Sequence, residues 1–139
     1  MKARAPHKIA NSKVAEGFSK EDNDCAVRAL ANAFGTSYTY AHHAMAAAGR
    51  KEGKGTSLAI IHNLVTQEHG GKRGIKIEAI DRWGEGKRQV SIATFCKFHP
   101  HGRFYCVVRG HAFAVVDGVV HDAFVNKAGR RIYRAYEIV

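Results

Sequence analysis

No stretch of this chain approaches the roughly 20 consecutive apolar residues that a membrane-spanning helix needs, so no membrane partner is expected. Cysteine is scarce as well. Cys25, Cys96 and Cys106 are an odd set, without the paired spacing of a zinc site or the density of a disulfide scaffold. A reduced, cytoplasmic protein with no metal and no organic cofactor is the expectation. The basic N-terminal run MKARAPHKIANSKVAEGF lacks the apolar core of a secretory signal. There are no internal repeats, low-complexity tracts or long linkers. The loop at 50–56 (RKEGKGT) is rich in glycine and lysine but lacks the GxxxxGK[ST] order that cradles phosphates. Acidic residues are in deficit, with Asp+Glu at 12 against Lys+Arg at 22, which leaves a net charge of +10. Such an excess suits a nucleic acid, an acidic protein or an anionic surface. The cations are scattered (Lys51, Lys54, Lys72, Arg73, Lys87, Arg88, Arg130, Arg131, Arg134) and are not interleaved with aromatics. A basic solvated surface with weak or transient nucleic-acid contact is the expected outcome.

What is present suits one domain. A chain of 139 residues, 45% hydrophobic and 24% charged, is long enough to bury a real core. The segment 1–20 reads as loosely ordered. Asp22 and Asn23 then offer N-cap side chains, and Val27, Leu30, Ala31 and Phe34 recur at helical spacing before Gly35 stops the helix. An alanine-rich helix follows over 38–48. A third starts from Thr56 or Ser57, with Leu58, Ile61, Leu64 and Val65 on one face. Ile75, Ile77 and Ala79 alternate with polar residues as in a strand, and 91–98 reads as a short helix. From Arg103 the texture turns to β. The runs 104–108, 111–116, 119–124 and 130–138 are rich in Val, Phe and Tyr, and Asp117-Gly118 is a strong two-residue hairpin signal. The predicted fold class is α+β, with N-terminal helices packed on a C-terminal antiparallel sheet in a single domain, 1–139.

Within that plan Cys25 opens the first helix, where unpaired backbone N–H groups and the helix dipole favour a thiolate. A two-residue loop at Asp117-Gly118 pairs Val116 with Val119, Val115 with Val120, Phe113 with Asp122 and His111 with Phe124. His111 and Asp122 then share a face and lie diagonally across from each other, roughly 7 Å or less between β-carbons. Asp117, at the turn tip, is roughly 20 Å from His111 along the strand and belongs to the turn. Asn126 is a weaker substitute for Asp122. The remaining candidates read as structural. Cys96 and Cys106 lie in apolar runs. His42 and His43 point about 100° apart on a helix. His99 and His101 flank Pro100 in a turn, and His121 points away from His111. Trp83 reads as a core plug or a rim residue.

A helix-borne Cys followed by His and Asp on neighbouring strands is the order of papain-like cysteine peptidases. The run Asp24-Cys25-Ala26-Val27-Arg28-Ala29-Leu30 resembles the DC-x-x-x-A-L helix start of the bacteriocin-processing peptidases. His111-Ala112-Phe113-Ala114-Val115-Val116 with Val120-His121-Asp122 resembles their strand pair. The chain also resembles small proteins of phage and bacterial genomes that carry both motifs. The resemblance is weak over 50–100. It implies a papain-like fold, with Cys25 as nucleophile, His111 as general base and Asp122 orienting the imidazole. Relatives place a Gln six residues before the Cys to help form the oxyanion hole. Here that position is Ser19, and Asn23 is the nearest amide. Losing one such donor costs about 10²–10³-fold in rate.

The expected function is therefore a thiol hydrolase that cleaves a peptide or isopeptide bond in a protein or peptide substrate. Acyl transfer to an amine would use the same residues. The alternative is a catalytically idle binding module of the same fold, engaging an acidic protein or nucleic acid through its basic surface.

Overall fold

The computed structural model describes residues 7–9, 24–51, 55–81, 88–122, 126–127 and 129–139. Helix α1 (Cys25–Phe34) is built from good helix formers whose apolar side chains, Val27, Leu30, Ala31 and Phe34 among them, are all buried. It ends at Gly35, whose φ of +70° lets its N–H reach the Ala31 carbonyl. Helix α2 (Tyr38–Ala47) and helix α3 (Leu58–Val65) start from Ser37 and Ser57, whose hydroxyls accept from the N–H groups of Tyr40 and Ile60. Helix α4 (Ile92–Phe98) is capped in the same way by Ser91.

The sheet is six strands wide: β1 (His7–Ile9), β7 (Val119–Asp122), β6 (His111–Val116), β5 (Arg103–Val108), β8 (Arg134–Ile138) and β2 (Gly74–Ile77), in that spatial order. Five of them form an antiparallel sheet, and β1 adds to its edge in parallel with β7. The short strands β3 (Ile80–Asp81) and β4 (Arg88–Gln89) pair separately. An α+β fold is thus observed. The strand β1 falls inside the segment expected to be loose, and the other residues of 1–20 lie outside the described residues.

The Asp117-Gly118 hairpin has the expected register, with Val116 opposite Val119 and Val115 opposite Val120. Both turn residues carry positive φ, 49° and 75°, as a type I′ loop requires. Asp117 does turn chemistry, accepting from the Gly102 N–H at 2.9 Å.

Helices cover both faces of the sheet, a division that the sequence reading of helices packed on a sheet leaves open. Alternate residues of β5 divide the core. Tyr105 and Val107 pack with α1, α2 and α3, while Phe104, Cys106 and Val108 pack with α4, Val90 and Ile132. With both faces buried, β5 is an almost unbroken apolar run. Period-two alternation therefore carried no hint of which face α4 would take.

Candidate active site

Helix α1 lies on β6 through small side chains. Ala26, Ala29 and Ala33 on the helix share a buried cluster with Ala112 and Ala114 on the strand. The absence of bulk lets the helix approach the sheet closely, and its N-terminus stands at the end of β6 where His111 begins the strand. Three anchors fix that end. Asp24, 1% exposed, directs its carboxylate sideways: Oδ1 accepts from Arg28 at 2.9 Å and Oδ2 from the Tyr38 hydroxyl at 2.8 Å. The fully buried Tyr105 donates its hydroxyl to the Ala26 carbonyl at 3.0 Å. The N-cap position belongs to Asp24, whose side chain makes no capping bond; Asp22 and Asn23, the expected caps, lie outside the described residues.

The structure brings Cys25, His111 and Asp122 together. The Cys25 sulfur is hydrogen-bonded to the His111 ring and to the backbone N–H of Ala112. The other side of the ring meets Asp122, with His111 Nε2 2.5 Å from Oδ2. That leaves Nδ1 as the nitrogen facing the thiol. Asn126, 4% exposed, donates Nδ2 to the same carboxylate oxygen at 2.7 Å, so it holds Asp122 rather than replacing it. His111 also stacks on Phe113, ring centroids 6.2 Å apart. Burial is graded, with the Asp122 side chain 3% exposed, His111 10%, and Cys25 half-buried at the cleft.

The electrostatics favour a charged pair. Burial alone pushes the Cys25 thiol up. The His111 and Ala112 hydrogen bonds, with the positive charges of His111 and Arg28, outweigh it and leave the thiol below its ordinary value. Burial likewise pulls His111 down, but the Asp122 hydrogen bond, then that of Cys25, and the charges of both partners raise it to about 9. Each partner thus favours the charged form of the other, thiolate beside imidazolium. Cys96, by contrast, is pushed up by burial to about 11, and burial raises Cys106 well above its ordinary value. Both sit in the core as inert thiols.

Above Cys25 opens a cleft of about 950 Å³. The residues leading into α3 form part of its wall; the β5–β6 turn and the segment before β8 form the rest. Gln89 is its one amide side chain among the described residues, and it donates to the Tyr133 carbonyl at 3.3 Å. Asn23, Ser19 and Trp83 lie outside the described residues. His121 pairs with Ala114, and His99 packs between Phe95 and Phe104, both away from the triad. The Asp24 anchors escaped the sequence reading. The Asp24–Arg28 spacing of four was a visible helical ion-pair signal, whereas nothing local announces Tyr38. Among the described residues no helix is long and apolar enough to cross a membrane. Comparison of the chain with protein-family models, curated proteins and solved structures finds no match.

Proposed function

We propose that the protein is a papain-like thiol hydrolase that cleaves a peptide or isopeptide bond through an acyl-enzyme on Cys25. The observation that carries this reading is the hydrogen-bonded chain from Cys25 through His111 to Asp122, at the floor of an open cleft. The Cys25 thiolate attacks the substrate carbonyl, and the oxyanion forms beside the first turn of α1. There the backbone N–H groups have no partner within the helix, and the Cys25 N–H is among them. Collapse breaks the C–N bond, with His111 giving its proton to the leaving amine. The neutral imidazole then takes a proton from water as it attacks the thioester, which frees the acid and restores thiolate and imidazolium. Asp122 keeps Nδ1 aimed at the sulfur throughout.

The test is direct trapping. The full chain is mixed with a peptide library, quenched in acid and weighed intact. An acyl mass on Cys25, absent in Cys25→Ala, is the expected result. If Cys25 alkylates rapidly yet no peptide acylates it or is cut, the fold serves as a binding module instead. Amide products formed with added amines would mark acyl transfer.

A further inference from the structure

Ala26, Leu58, Ile61, Val107 and Ala112 give the cleft apolar surface beside the thiol. Arg109, Arg130 and Arg131 line the same cleft. Two of these guanidinium groups are held by main-chain oxygens: Arg130 donates to the Arg109 carbonyl at 2.6 Å and Arg131 to the Gln89 carbonyl at 3.0 Å. Such bonds fix where the cation sits without cancelling its charge. Among the described residues none of the three arginines has a carboxylate partner, and the Arg109 side chain donates to none of them. The nearby buried acids are already engaged, Asp24 with Arg28 and Tyr38, Asp122 with His111 and Asn126.

Three cleft arginines, two of them positioned and none with a carboxylate partner among the described residues, stand next to apolar walls and a nucleophile and together describe one kind of ligand. We propose that the cleft selects a substrate carrying a carboxylate close to the scissile bond, with an apolar residue beside it. The carboxylate is an Asp or Glu side chain or a chain terminus. This rests on the hydrolase reading and narrows its substrate class. Guanidinium groups bind carboxylates by paired, charge-assisted hydrogen bonds, which gives geometric selection as well as attraction. A nucleic-acid strand fits less well. It asks for successive stacking platforms along a basic track, and Tyr133, 54% exposed, is the single aromatic of the cleft among the described residues.

The experiment compares Cys25 alkylation rates of iodoacetyl dipeptides on the full chain. One probe ends in Leu-Glu-amide, one in Leu-Gln-amide and one in Leu-Gln with a free carboxylate. At low salt the carboxylate probes are expected to react on the order of tenfold faster than the neutral one, with the advantage shrinking in high salt. Preference for one carboxylate probe over the other assigns side chain or terminus. In Arg109→Ala/Arg131→Ala the carboxylate-to-amide rate ratio should fall to near one. Because a ratio is read, a general loss of folding or reactivity cancels. A ratio near one in the unaltered protein, or one that survives in the double variant, overturns the proposal. So does salt-sensitive protection of Cys25 by a single-stranded oligonucleotide with no carboxylate preference. Plain iodoacetamide separates the two readings. If it labels Cys25 no faster than a free thiol, the hydrolase reading itself fails.

Discussion

At the scale of single residues the site is a matched pair of ionisable groups. His111 rises to about 9 because Asp122 and Cys25 favour its charged form more than burial opposes it. Its folded value is above its ordinary 6.5, so its contribution to stability is complete below about 6.5 and is lost as pH rises through about 9. Cys25 runs the other way, depressed in the fold, and its contribution fades as pH falls through its lowered value. Turnover needs the imidazolium to protonate the leaving amine, so its alkaline limb should follow His111 near 9. In Asp122→Asn the imidazole loses its main support, and that limb should move to lower pH. The turnover rate should fall on the order of 10²–10⁴-fold. A pH–rate profile of the variant measures both, and an unmoved alkaline limb would show that Asp122 does not set the His111 proton. Cys25, His111 and Asp122 were legible because each announces itself locally, by a helix start or by hairpin register. The support from Asn126 was less so, since it depends on how the chain returns after β7.

At the scale of elements, the contact of α1 with β6 makes the site possible. Alanines on both sides set the distance, and the Ala112 N–H reaches the Cys25 sulfur because of it. Ala112→Leu should therefore destabilise the fold by roughly 1–3 kcal/mol through overpacking and also remove the fast reactivity of Cys25. Ala135→Leu, an equally buried position on the α4 side of the sheet, is the control. It should cost similar stability in denaturant titration while leaving Cys25 reactive. Equal loss of reactivity in both variants would mean that the helix contact has no special role. Sequence pattern placed these elements well, because capping serines, Gly35 and Asp117-Gly118 are strong local signals. It could not assign α4 to a face, since a strand buried on both sides has no polar side to read.

At the scale of the whole molecule, a sheet covered on both faces leaves its working groups at one end, where α1 starts and β6 begins. Three of the basic residues behind the net charge of +10, Arg109, Arg130 and Arg131, line the apolar cleft there, none with a carboxylate partner among the described residues. The charge was legible in the composition, but its convergence on the cleft was not, because Arg109 and Arg130–131 are brought together only by the fold. All of this depends on Cys25 being a thiolate held by His111. The most direct measurement is the rate of Cys25 alkylation by iodoacetamide as a function of pH, in the unaltered protein and in His111→Ala. The unaltered protein should show an inflection below the ordinary thiol range, with Cys96 and Cys106 unreactive until unfolding. In His111→Ala the burial penalty remains without its compensation, so the inflection should move up to the ordinary thiol range or above it. An inflection at an ordinary thiol value, the same with and without His111, would contradict the account.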